Sequence, residues 1–217
     1  MSVYQNPKAP KVYSTCMEKA VSDFLAGDKQ VMARCAGASY DPGSDSIETV
    51  FIGRPYSIDC STGAVQPKGH ATELQGIESS VVLHNLIVAS GRELSGRLVT
   101  FADFRKVGRA GGPGMKKNVT NAFIQYFGSQ PELLYQLLEE FPGERTELGD
   151  ASIKVNLCPR VPVVFTIWAG EDDIIPPECT VLFDAYAQDY LPLEDLAALP
   201  DFAMAKFNNY VSANKLL

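Results

Sequence analysis

The sequence predicts an α+β fold, a mostly antiparallel sheet with helices packed on it, in one compact domain over residues 1–217. Three observations lead there. Strand-like stretches gather chiefly at 47–67 and 151–170, apart from the helix-like ones, rather than alternating with them as a parallel α/β fold requires. Hydrophobic residues make up 46% of the 217, enough to bury a sizeable core. A charged fraction of 21%, with 9 Tyr and 11 Phe, excludes a disordered chain. No internal repeat and no low-complexity linker divides the sequence.

The elements follow in order. "VYSTCMEKAVSDFLAG" sets Tyr13, Met17, Ala20, Val21, Phe24 and Leu25 on one face, which predicts an amphipathic helix over about 12–27 that stops at Gly27. "QVMARCAG" reads as a strand and "YDPGSDS" as a turn-rich loop. "IETVFIGRPYSIDCSTGAVQP" alternates apolar and polar residues between turn signals, giving two or three short antiparallel strands. "ELQGIESSVVLHNLIVASG" is a helix with Ile77, Val81, His84 and Val88 on one stripe and Gly91 as its stop. That spacing places His84 on the inner face. "TFADF" begins a short helical turn capped by Thr100. "MKKNVTNAFIQYFG" is a helix, and "SQPELLYQLLEEF" another, with a capping box of Ser129 and Glu132 and an early Pro131. "ASIKVNL" and "VPVVFTIWAG" are neighbouring strands, with Pro159 and Pro162 marking their link. "PLEDLAALPDFAMAKFNNYVSANKL" gives two helices broken before Pro200.

Charge and cysteine usage exclude several functions. The net charge is -7 and the sequence pI is near 4.9, so no global positive field gathers nucleic acid or an anionic membrane. The longest strongly apolar run, "VPVVFTIWAG", is half of what a membrane helix needs. The first residues, "MSVYQNPKAPKVY", show no apolar core of a secretory leader, and a cytoplasmic protein is expected. Cys16, Cys35, Cys60, Cys158 and Cys179 are scattered, without the CxxC spacing of zinc or iron–sulfur sites. They read as core residues of a protein in a reducing compartment.

One stretch departs from the acidic background. "FRKVGRAGGPGMKKN" holds five cations, Arg105, Lys106, Arg109, Lys116 and Lys117, with four glycines and no acid. Gly111, Gly112 and Gly114 permit close backbone approach, and a helix starting near Met115 would aim free N–H groups into the loop. These are the ingredients of a site for an anionic small molecule. The spacing is neither a Walker A motif nor GxGxxG: Pro113 follows Gly108 by five residues, and Lys117 takes the third glycine position. A second destination for the same charges is the protein itself. Residues 161–205 carry nine acids and no Lys, Arg or His. The basic stretch and this segment can meet within one chain or across a homo-oligomer.

"GEDDIIPPE" offers Asp172, Asp173 and Glu178 as candidate ligands for a hard cation such as Mg²⁺ or Ca²⁺, although no Asp-x-Asp-x-Asp-Gly spacing is present. A solvated, capped turn accounts for the same residues. His84 is one of 2 histidines and is either a hydrogen-bonded core residue, an axial ligand of a metal-containing tetrapyrrole or a proton-transfer group. No GxSxG or cysteine-enzyme signature accompanies it.

The motif order itself is familiar. "VVLHNLIVASG", "TFADFRKVGRAGG" and "LCPRVPVVFTIWAGEDDIIPPECTVLFDAYAQDYLPLEDLAAL" resemble the domain of unknown function 3786 family, found mainly in anaerobic bacteria and archaea. The likeness spans about residues 45–200. Its most specific part is Pro159-Arg160, Pro162, Trp168, Gly170 with its acids, Leu182-Phe183-Asp184, and Leu191 with Glu194-Asp195-Leu196. Some members bear a cysteine-rich segment and are described as iron–sulfur proteins; this chain lacks that segment, so no cluster is expected here. Where relatives read Leu-His-Tyr, this chain reads Leu83-His84-Asn85. The resemblance implies a setting in anaerobic one-carbon or corrinoid metabolism and assigns no mechanism.

Three readings follow. The chain is a binding or accessory protein for an anionic ligand, such as a corrinoid or phosphorylated cofactor, with the basic stretch on its acidic groups and His84 near its apolar body. Or it is an enzyme with a carboxylate-bound metal or an activated cysteine. Or it is a protein-interaction module built on its oppositely charged segments. The lack of a catalytic motif favours binding.

Overall fold

In the computed structural model, the described residues are 9–74, 76–104, 113–170 and 174–214, with 9–14 and 113–118 described by backbone alone. Backbone contacts group the chain into two compact units, residues 1–92 with 189–191, and residues 93–188 with 192–217. Helices and two antiparallel sheets build them, which is the α+β class that the sequence predicts.

The first unit opens with α1 (Ala9–Ala26) and α2 (Lys29–Ala36). The expected strand at 30–37 is therefore a helix. Asp28 accepts a hydrogen bond from Val31 N–H at 3.0 Å, and Gly37 closes the helix at φ 78°. Between these two caps, Lys, Gln, Met, Ala and Arg are strong helix formers, and Val31 alone favours a strand. Between α1 and α2 the Lys29 ammonium donates to Phe24 O at 2.7 Å, Gly27 O at 2.8 Å and Leu25 O at 3.2 Å. It thereby satisfies carbonyls that the end of α1 leaves open.

Four strands follow, β1 (Ser39–Asp41), β2 (Ser46–Phe51), β3 (Arg54–Asp59) and β4 (Val65–Pro67), paired antiparallel in the order β1-β2-β3-β4. Strand β1 lies partly where the sequence suggested only a loop. Ile47, Phe51, Tyr56 and Ile58 point inward, as alternation requires. Ile52 and Gly53 turn β2 into β3 at φ 46° and 72°, the left-handed pair that suits hairpin twist. A β-branched residue there is strained, and its burial at 1% exposure offsets the cost.

Helix α3 (Gly76–Val88) completes the unit, with α1 and α2 packed on it. Its buried residues are 78–83, Asn85 and Leu86, while Ile77 and Val88 are exposed and His84 is half-buried. The stripe through 77, 81, 84 and 88 is thus not the inner face. Packing buries the polar Glu78, Ser79, Ser80 and Asn85 beside the apolar residues, so apolar periodicity alone does not select the inner face.

The second unit is a five-stranded sheet in the order β5-β9-β8-β7-β6. The strands are β5 (Leu98–Thr100), β6 (Gly143–Arg145), β7 (Ala151–Cys158), β8 (Val161–Trp168) and β9 (Glu178–Asp184). Every residue of β8 except Trp168 is buried, which explains its unbroken apolar run. β7 and β8 are neighbours as expected, but Pro162 lies inside β8, beside a register shift at Asn156/Cys158 that accommodates it. Strand β9 was not evident from the sequence.

On one face of the sheet Phe165 of β8 stacks on Phe123 of α4 (Pro113–Phe127), centroids 5.5 Å apart. Phe165 also meets Phe207 of α5 (Leu193–Ala213) edge-on at 5.3 Å. Two expectations change here. Residues Pro131–Glu139 form successive 3-10 turns behind Gln130, without a Ser129 cap. Helix α5 runs through Pro200 unbroken. The hydrogen bond lost at proline is offset because Leu196, Leu199, Ala203, Met204, Phe207 and Val211 are buried on both sides of it.

Candidate functional site

In sequence, the basic stretch lies between two aromatic anchors of the second unit. Ahead of it, the 3-10 turn Phe101–Asp103 forms behind Thr100, as the sequence predicts. Thr100 N–H and its hydroxyl each donate to Asp103 Oδ2 at 2.8 Å. These bonds hold the Asp103 carboxyl below its ordinary range. Phe104 is buried, and its ring lies 6.0 Å from Phe183 of β9 and 6.1 Å from Phe101. Behind the stretch, α4 begins at Pro113, a residue suited to a first helical position. Phe123 and Phe127 then lock α4 down, centroids 4.8 Å apart.

Arg105, Lys106, Arg109, Gly111 and Gly112 lie outside the described residues. Gly114, Lys116 and Lys117 fall within the first turns of α4, whose first turn contains no acid. Cations at that end oppose the helix dipole, at a cost of about 0.3–1 kcal/mol each. An anion placed there reverses the sign. His84 belongs to the first unit and the basic stretch to the second.

Of the metal candidates, Asp172 and Asp173 lie outside the described residues. Glu178 starts β9, is exposed, and pairs across the sheet with Trp168. Among the described residues no group of three or more His, Cys, Asp or Glu is placed to hold a metal ion. The five cysteines are thiols on separate segments of the chain, with no disulfide between them. Burial raises Cys60 to about 11, with Asp45 adding to the shift. Burial also pushes the Cys158 thiol upward, with the charge of Asp195 acting in the same direction. Both are protonated at neutral pH, the opposite of an activated nucleophile.

Three polar side chains matter that the sequence did not single out for a role. Asp184 closes β9 and is 2% exposed. Its burial favours the neutral acid, yet its oxygens accept from Ser95 N–H at 3.1 Å, Ser95 Oγ at 2.9 Å, Gly96 N–H at 2.8 Å and Tyr186 N–H at 2.8 Å. The donors prevail, and its carboxyl is held below the ordinary range. The acid of the Leu182-Phe183-Asp184 motif is therefore the clasp that ties the 95–96 turn to the strand. In the first unit, Asn85 Nδ2 donates to Tyr190 O at 3.1 Å. On α5, burial raises Asp201, next to Pro200, to about 6. Asp184 and Asn85 stood in motifs of the sequence, but their hydrogen-bond partners, and the burial of Asp201, are not reported by local pattern.

A groove of about 410 Å³ in the second unit is lined by Leu94, Pro142, Glu144, Lys154, Asn156 and Pro162, with Lys154 and Glu144 ion-paired across β6 and β7. None of the residues singled out as ligand-binding from the sequence lines it.

No curated protein matches the chain, and no solved structure does. A family model matches residues 28–206, which takes in parts of both units. On that match the chain belongs to the family described as a domain of unknown function, DUF3786.

Proposed function

We propose that this chain is a binding protein for an anionic small molecule, recognised by Arg105, Lys106, Arg109, Lys116 and Lys117 with the backbone of Gly111, Gly112 and Gly114. The observation that carries the reading is a run of five cations without an acid leading into the N-terminal end of a 15-residue helix. That placement raises local positive potential, which a phosphate or carboxylate lowers. The described residues that flank the stretch, Phe104 before it and Phe123 behind it, are buried in the second unit. The activated-cysteine alternative has no support at Cys60 or Cys158, where burial works against the thiolate.

Within this proposal a phosphorylated cofactor is the class that the charges fit. Corrinoid binding in anaerobic one-carbon metabolism is the narrower version, with His84 as axial ligand. It expects a visible absorption band in protein purified without oxygen, and a shift of that band in His84→Ala. Neither the phosphate site nor its test depends on His84.

Calorimetric titration with pyrophosphate tests the main reading. Wild-type protein is expected to bind, with affinity falling as salt rises. Arg109→Ala and Lys116→Ala are expected to lose affinity while keeping a near-normal melting temperature. Absence of binding by the wild type, or equal binding by both variants, overturns the reading. Lower melting with unchanged affinity assigns the cations to the protein's own carboxylates instead.

A further inference from the structure

We propose that the groove of the second unit binds a zwitterionic small molecule, an α-amino acid with an apolar side chain. This goes beyond the anionic ligand read at the basic stretch, uses none of its residues and does not depend on it. The groove measures about 410 Å³, within the range of small-molecule sites.

Strand register builds the floor. Glu144 of β6 stands opposite Lys154 of β7, and Asn156 stands opposite Pro162 of β8. Their two-residue spacing puts Lys154 and Asn156 on one face of the sheet. Phe165, paired with Ile153, points to the other face, where it meets α4 and α5. The groove therefore lies on the face away from those helices. One wall comes from outside the sheet. Lys154, Val164 and Leu182 are successive partners across it, and Asp184 stands two residues beyond Leu182, on the same face. Asp184 accepts from Ser95 N–H at 3.1 Å, Ser95 Oγ at 2.9 Å and Gly96 N–H at 2.8 Å. Leu94 immediately precedes that clasped turn and lines the groove, 39% exposed. The clasp thus sets an apolar wall beside a charged floor.

Charge decides what binds. Glu144 and Lys154 are ion-paired, and no other charged residue lines the groove, so its net charge is zero. A ligand with a single charge would engage one partner and leave the other unmatched. A ligand with an adjacent ammonium and carboxylate matches both: its carboxylate meets the Lys154 ammonium and its ammonium meets the Glu144 carboxylate. An α-amino acid carries the two groups on one carbon, a spacing that suits side chains standing side by side on neighbouring strands. The Lys154 and Glu144 side chains are 41% and 61% exposed, so their pair contributes little to the fold and opens at small cost. Asn156 is exposed, and its amide both donates and accepts. Leu94, Pro142 and Pro162 supply apolar surface for the ligand's side chain, and the proline rings lose little freedom on contact.

Saturation-transfer NMR on the full chain with L-leucine tests this. The wild type is expected to bind with a Kd between about 10 μM and about 1 mM, its strongest transfer reaching the leucine methyl protons. Leucinamide lacks the carboxylate and 4-methylpentanoate lacks the ammonium; each is expected to bind at least about tenfold more weakly. Lys154→Met and Leu94→Ser alter partly exposed side chains, and each is expected to weaken leucine binding by about tenfold or more with an unaltered circular dichroism spectrum. Pyrophosphate is expected not to displace leucine. No binding at about 10 mM leucine overturns the proposal, as does equal binding by either variant or equal binding of the two analogues. Displacement by pyrophosphate overturns it too, because the leucine would then occupy the basic stretch. Loss of pyrophosphate binding with leucine binding intact would sink the proposed function and leave this inference standing.

Discussion

Asn85→Ala should cost the protein about 2 kcal/mol, and the first unit shows why. Residues Asp189–Leu191 come from far along the chain yet belong to that unit. Tyr190 and Leu191 have no exposed surface. The strap is stitched to the end of α3 by Asn85 Nδ2 donating to Tyr190 O at 3.1 Å, and by Ser90 N–H donating to Asp189 O at 2.9 Å. The Tyr190 hydroxyl also donates to Arg92 O. Asn85 is 2% exposed, so water does not replace a missing amide there. Leaving the Tyr190 carbonyl unpaired costs about 1–3 kcal/mol, and the small void adds to it.

The exposed ion pair of the same strap, Arg92 Nη1 to Asp189 Oδ2 at 3.3 Å, is the internal control, because such pairs contribute about 0–1 kcal/mol. Asn85→Leu restores volume without the donor and should lose most of the same stability. Urea unfolding of the three variants measures the effects, and the Asn85→Ala melting temperature should fall by about 4–8 °C. If Asn85→Ala lies within about 0.5 kcal/mol of wild type, or Asp189→Ala costs as much, the strap is not held as argued.

Asp201→Asn should stabilise the protein at pH 8 and do almost nothing at pH 3. Burial raises the native carboxyl from 3.8 to about 6, so its contribution is full below the unfolded value and is lost as pH rises through 6. Discounted for solvent screening at a half-buried group, the gain is about 1 kcal/mol, read as the difference in urea midpoints at the two pH values. Lys29→Met should lower stability by about 1–2 kcal/mol, since it removes three bonds to the end of α1 and the ammonium 4.6 Å from the Phe24 ring centroid. A thermal melt of this variant indistinguishable from wild type would show that solvent caps α1 equally well.

Much of the chain was legible because its signals are local. The β2–β3 hairpin, the Thr100 turn, the helix ending at Phe127 and the β7–β8 pair each declare themselves within about ten residues, through alternation, capping or an apolar run. The cationic stretch was legible for the same reason, since composition is read along the chain. Other elements misled because local preference was outweighed. Segment 29–36 turned helical on the strength of an Asp28 cap and a Gly37 stop. Helix α5 continued through Pro200 because apolar residues on both sides of the proline are buried together.

The sequence by itself determined the class of fold, the acidic background and the one place where positive charge accumulates. The tertiary structure alone decided which face of α3 is inner, that Asp184 is a clasp, and that Asn85 reaches Tyr190 across 105 residues of chain. Those outcomes depend on partners brought close only when the chain folds. A side chain's hydrogen bonds and burial are set by its neighbours in space, and in these cases the neighbours in sequence do not reveal them.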